Sequence, residues 1–493
     1  MLPADQTQTP FFDAVVRYAE KRIVPFHTPG HKEGKGVDHR FRDFLGWNPF
    51  RIDLSELDAF ELGHNPEEVL HRAQKLAAEA FGADYTFFLV NGTTSGIETM
   101  ITAVCRPGDK VILPRNVHRS IIGGLILSGA IPIYIEPEVD VNLGIAMGVS
   151  AEKFERALKR HPDARAVLVI NPNYYGVAWD IKNIVDLVHS YGKLVLVDEA
   201  HGPHLRFHPD LPTDAMTAGA DMAAQSTHKI LGSMTQSSML HVRAQKVRIA
   251  RVKTMLRITQ STSPSYLLFS SLDVARMQMA TRGREILDRT MALAAEARER
   301  INRIPGLYSF GREIIGRNGV FDIDPTKLTV SVKDLGFTGM MAENILRNQY
   351  GLQVELSDLF NVLFIISLGD TKEDVDRLVG GMEELVKQHT GTAEKIRHLV
   401  DIAYHRRPPG LPRQRMSPRE AVFARNRAVP FVHSAGRISA EILAPYPPGI
   451  PIICPGEEIT KEIIEFLRLV KKAGIYIQGP EDVKLERVRV VDV

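Results

Sequence analysis

Cysteine is almost missing from this 493-residue chain, which has only Cys105 and Cys454. Two thiols so far apart argue against a disulfide framework and a thiolate zinc site, and they fit a reducing compartment such as the cytoplasm. An excess of either charge is missing too: 61 Lys and Arg stand against 59 Asp and Glu. There is therefore no field suited to gripping nucleic acid or another polyanion, and a small-molecule partner is favoured. Long apolar runs are also lacking, since the stretch Ile121 to Ile135 is broken by paired glycines, Ser128, Gly129 and Pro132 and is too short for a bilayer. The polar start, Met1 to Pro10, does not read as an export signal, and no repeat or low-complexity tract occurs. What remains is ordinary globular composition, 44% hydrophobic and 24% charged, in a chain long enough for two or three domains.

From about Asn65 to Val242, helical patterns alternate with short apolar runs at Thr86 to Val90, Lys110 to Leu113, Ile131 to Ile135, Ala166 to Ile170, Leu194 to Val197 and Met222 to Gln225. Such alternation predicts an α/β domain on a mostly parallel sheet covered on both faces. A long helical stretch, Tyr266 to Ile304, leads to apolar runs at Lys327 to Val332 and Val362 to Ser367, with helical patterns at Thr338 to Asn348 and Glu373 to His389, which predicts a smaller α/β domain. A Pro- and Arg-rich linker, Arg406 to Pro418, precedes a last unit. The expected division is an amino-terminal arm over 1–64, a large domain over 65–290, a small α/β domain over 291–395 and a carboxyl-terminal α+β domain over 396–493.

Lys229, in Gln225-Ser226-Thr227-His228-Lys229, lies between an apolar strand and a small-residue turn that leads to a second strand, Ser237 to Val242. That placement suits a Schiff-base lysine for pyridoxal 5′-phosphate (PLP), although the run alone fits equally a lysine snorkelling from a strand end. Asp198 closes an apolar strand at its carboxyl end, where open α/β sheets bind ligands. It suits the pyridine nitrogen, with small Ala200 leaving room for a flat ring; in isolation it also fits a helix N-cap. Asn91-Gly92-Thr93-Thr94-Ser95-Gly96, between a strand and a helix, has the glycines and hydroxyls of a phosphate cradle, and Ser226 supplies another hydroxyl. An ordinary capped helix has the same residues. His118 follows the strand Lys110 to Leu113 and is a candidate for stacking on the ring, while His201 and His228 flank the lysine and are candidates to assist proton transfer, imidazole being the side chain suited to it. His27 and His31, in Phe26 to Lys32, lack the further clustered ligand of a metal site.

Taken together, Phe26 to Lys32, Asn91 to Ser95, Asn116 to Ser120, Val197 to His201, Ser226 to Lys229, Ser261 to Pro264 and Tyr446 to Pro451 resemble the ornithine, lysine and arginine decarboxylase family of PLP fold type I. The resemblance runs in order along nearly the whole chain and is greatest to the short bacterial members that turn arginine into agmatine for polyamine synthesis. It implies an aspartate aminotransferase-like large domain, with Lys229 as the lysine linked to the cofactor, Asp198 on the ring nitrogen, His118 stacked, and Thr93, Thr94, Ser95 and Ser226 on the phosphate. It also implies a homodimer in which Ser261 or Thr262 reaches the neighbour's phosphate. The chain opens almost at the arm, which leaves no room for the additional wing domain of the long members. Selecting a basic amino acid requires a buried acid; Glu441 is the first candidate, followed by Glu61 and Asp58, with His27 as a further contact. After Asp58, Ala59 to Pro66 departs from the short-form pattern. Lysine or ornithine as substrate, another PLP reaction such as transamination, and a PLP-fold regulatory pseudoenzyme are the competing readings.

Overall fold

Runs of Val, Ile and Leu without polar alternation form strands buried on both faces, because only covered strands can dispense with a polar side. The computed structural model describes residues 4–21, 23–54, 66–389, 409–446, 449–472 and 474–492. The chain forms two compact units, Met1–Ala103 with Val197–Leu287, and Val104–Leu196 with Asp288–Val493.

The main α/β architecture is carried by β1 (Tyr85–Leu89), β2 (Lys110–Pro114), β3 (Ile131–Ile135), β4 (Ala164–Ile170), β5 (Leu194–Asp198), β6 (Met222–Gln225) and β7 (Ser238–Val242). Strand β5 starts in the second unit and ends in the first. In the first unit the order is β1-β7-β6-β5, and in the second it is β5-β4-β2-β3. Strand β2 pairs in parallel with β3 and β4, as the alternation with helices predicts. Strand β7 instead runs antiparallel to both β1 and β6. Between β6 and β7 the chain forms only a one-turn helix, Thr227–Ile230, in place of the covering helix of a parallel crossover.

In the first unit, helix α1 (Pro10–Glu20) begins with proline at its first position, where the missing N–H costs nothing. It buries Phe11, Ala14, Val15 and Tyr18, a helical stripe. Its start is fastened by a fully buried ion pair, in which Arg276 Nη2 lies 2.7 Å from Asp273 Oδ1. Asp273 Oδ2 accepts the backbone N–H of Phe11 at 2.9 Å, and the guanidinium donates to the carbonyls of Gln6 and Gln8 at 2.7 and 2.5 Å. The arm is thus anchored through groups that burial would otherwise penalise.

In the second unit, the strands Lys327–Ser331, Asn361–Ile365 and Leu356–Ser357 make an antiparallel sheet. It shares a core containing Val330, Leu346, Val362, Val379 and Met382 with the helices Gly339–Tyr350 and Lys372–His389. A separate core gathers Phe431, Leu443, Ile463, Leu467, Ile477 and Val490. Arg115, which follows β2, makes a two-pronged ion pair with buried Glu457 at 2.5 and 2.8 Å and donates to the carbonyls of Pro451 and Ile452. Among the described residues no helix is long and apolar enough to cross a membrane.

Removing one partner of a buried pair leaves an uncompensated charge. Asp273→Ala is therefore expected to cost about 3–5 kcal/mol of stability, read as a lowered urea midpoint, whereas the double change Asp273→Leu with Arg276→Met should recover only part of it, because the Phe11 N–H and the Gln6 and Gln8 carbonyls still lose their partners.

Candidate active site

The carboxyl ends of β5 and β6 bring the polar residues together. Lys229 sits in the short helix Thr227–Ile230, so the turn expected there is a single helical turn, closed by the bond from Leu231 N to Thr227 O at 2.9 Å. Lysine Nζ lies 2.9 Å from His201 Nε2. When Lys229 is an ammonium it can only donate, so His201 Nε2 accepts and the ring proton resides on Nδ1. Asp198 is buried, and its Oδ1 accepts the backbone N–H of Ala200 at 3.2 Å. Burial pushes this carboxyl up, while the nearby charge of Lys229 and the Ala200 bond pull it down. His228 is held by its own Nδ1, which donates to Ser237 O at 2.7 Å. Acid, imidazole and amine thus form one group inside the first unit.

The hydroxyls expected to hold a phosphate meet at the start of helix α2 (Gly92–Val104). Thr93 Oγ1 lies 2.5 Å from Ser226 Oγ and 2.7 Å from Ser238 Oγ. Ser95 Oγ donates to Gly92 O at 2.8 Å and accepts from Gln260 Nε2 at 2.5 Å. Gln260 Oε1 in turn accepts Val90 N at 3.0 Å. Thr94 is exposed. Gly96 lets the helix approach the sheet, since a Cβ there would stand 2.8 Å from Leu89 Cδ1. Hydroxyls beside a helix N-terminus make an anion site. Ser238 and Gln260 are members of this cluster that sequence reasoning missed. Ser238 joins it only because β7 pairs with β1 and β6, and nothing local distinguishes it from other strand serines.

Ser261 and Thr262 are exposed, and Ser261 Oγ bonds with the backbone of Ser263. His27 is half-buried, with Nε2 at 3.2 Å from Tyr18 Oη and Nδ1 at 2.5 Å from Thr28 O. His31 pairs instead with Asp53 at 3.3 Å. His118 belongs to the second unit, where its Nδ1 accepts Ser120 N at 3.2 Å and caps the helix Arg119–Ser128. Glu441 also lies in the second unit. Its two oxygens accept the backbone N–H groups of Glu481 and Arg489 at 2.7 and 2.8 Å, and burial pushes its carboxyl up. Asp58 and Glu61 lie outside the described residues.

This donor set fits pyridoxal 5′-phosphate. A half-buried primary amine answers the aldehyde, a buried acid the pyridine nitrogen, and a hydroxyl cluster at a helix start the phosphate.

The family model described as the Orn/Lys/Arg decarboxylase major domain matches residues 9–374, and the C-terminal domain of the same family matches residues 398–479. The arginine decarboxylase of Halalkalibacterium halodurans is 50% identical over 99% of this chain and 98% of its own length. That of Bacillus subtilis is 48% identical over 99% of this chain and 98% of its own length. Among solved structures, the lysine decarboxylase LdcF of Francisella novicida superposes with a TM-score of 0.85 at 23% identity, covering 98% of this chain and 81% of its own. That likeness speaks to the fold.

Because the folded-state pKa of Asp198 is raised, the charged carboxylate costs stability above that pKa, and the cost vanishes as pH falls towards the unfolded value of about 4. Asp198→Asn apoprotein should therefore melt higher than wild type at pH 7.5 and no higher at pH 4, while retaining cofactor less well. A lower melting temperature at pH 7.5 would contradict the burial cost.

Proposed function

Since the chain belongs to the Orn/Lys/Arg decarboxylase family and is a fold-type-I pyridoxal 5′-phosphate enzyme, we propose that it converts L-arginine into agmatine and carbon dioxide, a step towards polyamines. The observation that carries arginine over lysine or ornithine is the near-full-length similarity to two proteins bearing the name arginine decarboxylase.

Bound cofactor supplies an electron sink for the pair left behind when the Cα–carboxylate bond breaks. Lys229 Nζ would hold the cofactor, its primary amine being the group in the site that answers an aldehyde. Asp198 keeps a proton on the ring nitrogen; its burial makes the charge effective because little water screens it. Thr93, Thr94, Ser95 and Ser226 would hold the phosphate, His118 would lie against the ring, and Ala200 would leave space beside it. After carbon dioxide departs, Lys229 Nζ returns a proton to Cα, with His201 Nε2 within 2.9 Å to exchange it. His228 shapes the same pocket.

Glu441 is our candidate for the guanidinium. Each of its oxygens accepts one backbone N–H and keeps a second lone pair, so the carboxylate is presented in a fixed plane suited to a planar fork. Asp58, Glu61 and His27 complete the proposed substrate contacts. We further propose a homodimer, supported by the exposed hydroxyls of Ser261 and Thr262, which serve the phosphate of a second copy.

The decisive assay supplies carboxyl-labelled arginine, lysine and ornithine with added cofactor, and counts released carbon dioxide. Arginine should dominate; release from lysine or ornithine alone would reassign the substrate, and release from none would refute decarboxylation. Lys229→Ala should lower turnover by orders of magnitude, and near-normal activity would reject its role. Mixing Lys229→Ala protein with a Ser261→Ala, Thr262→Val double variant and exchanging subunits should restore activity, because one site of each hybrid is then intact. No recovery in a demonstrated hybrid would reject the shared site.

A further inference from the structure

Strand β7 buries a histidine in the middle of the sheet. His241 has no exposure, and the ring of Phe81 stacks on it with centroids 4.6 Å apart. The antiparallel register sets Thr86 of β1 directly opposite. Gln225 lies two residues along β6 from Ala223, the partner of His241, which is a diagonal that long side chains can span. Four side chains then join in a line. Thr86 Oγ1 is 2.8 Å from His241 Nδ1, His241 Nε2 is 2.9 Å from Gln225 Oε1, and Gln225 Nε2 donates to Glu199 Oε2 at 2.8 Å. The other Glu199 oxygen accepts Ala215 N at 2.7 Å.

The line has a direction. Because Gln225 turns its amide nitrogen to Glu199, its carbonyl oxygen faces His241, which must donate from Nε2 and accept on Nδ1 from the Thr86 hydroxyl. Burial lowers the imidazole to about 3, so a neutral ring with a single proton fills this place. Burying four polar side chains brings no net gain over well-packed apolar residues of similar volume, so stability alone does not account for them. What is particular is where the line ends. Glu199 follows Asp198, and Gln225 precedes Ser226.

We propose that Thr86, His241, Gln225 and Glu199 form a positioning relay that ties the end of β5 to the end of β6, and so holds Asp198 and Ser226 at the separation the cofactor requires. This rests on the placement of the cofactor at Lys229. None of the four is a catalytic residue; they act through Asp198 and Ser226.

Glu199→Gln tests the direction. Its single oxygen must stay on Ala215 N–H, so its amide faces Gln225, which rotates; His241 then accepts on Nε2 and donates from Nδ1 to Thr86. The relay reverses and survives. Thr86→Val should be mild in the wild-type background, where Nδ1 loses a donor. It should be more damaging beside Glu199→Gln, where a buried N–H loses its acceptor, the costlier defect.

The experiment titrates apoprotein with pyridoxal 5′-phosphate, follows the visible absorption and dichroism of the bound cofactor, and records the apoprotein melting temperature. Gln225→Leu and His241→Phe each leave buried polar partners unpaired and so should lower the apoprotein melting temperature, but at temperatures where the apoprotein is still fully folded each should also weaken cofactor binding on the order of 10-fold and alter the dichroism. Glu199→Gln should bind as wild type. The proposal is overturned if both apolar variants bind with wild-type affinity and spectrum at temperatures where the apoprotein is fully folded. Should Gln225→Leu not fold, the coupling between Thr86→Val and Glu199→Gln decides, and additive effects on cofactor affinity reject the relay. Wild-type protein that gains no visible band with added cofactor would instead refute the site at Lys229, which separates the two failures.

Discussion

The contact between Lys229 Nζ and His201 Nε2, made beside the buried carboxylate of Asp198, is the constraint on which the rest of the site depends. An amine, an imidazole and an acid removed from water are each costly to hold, and each offsets part of the cost of the others. Asp198 shows the balance: burial opposes its charge and prevails, and the charge of Lys229 offsets part of that opposition. The proposed pairing with a ring nitrogen asks for such an acid, shielded from solvent.

Polar groups buried in the first unit are placed by strand pairing. On β7, Ser238 reaches the hydroxyl cluster at Thr93 and Ser226, whereas His241 joins Thr86 and Gln225. An antiparallel strand at this position therefore supplies two polar assemblies at once. The arm is held differently, by the Asp273–Arg276 pair on the helix Tyr266–Asn302, whose hydrogen bonds to backbone make burial tolerable.

The second unit holds its candidates differently. His118 spends Nδ1 on capping its own helix, which fixes the ring by a local bond. The segment before it is gripped by Glu457 through Arg115, so residues far along the chain settle the geometry of a loop near its first third. Glu441 is likewise fixed by the backbone of Glu481 and Arg489.

The alternation of apolar runs and helical patterns determined the α/β class, and the strands fall within a residue or two of the runs at 86–90, 110–113, 131–135, 166–170, 194–197 and 222–225, because burial on both faces leaves a mark that needs no tertiary knowledge. The strand-end acid and the Ser-x-His-Lys run were legible for the same local reason. The helical turn at Lys229, the antiparallel return of β7, and the recruitment of Ser238, Gln260 and His241 were decided by tertiary structure alone. A hydrogen bond between residues more than a hundred positions apart, such as Thr93 to Ser238 or Thr86 to His241, is a consequence of register. Register is set by which strands lie side by side, and no local pattern of residues states that.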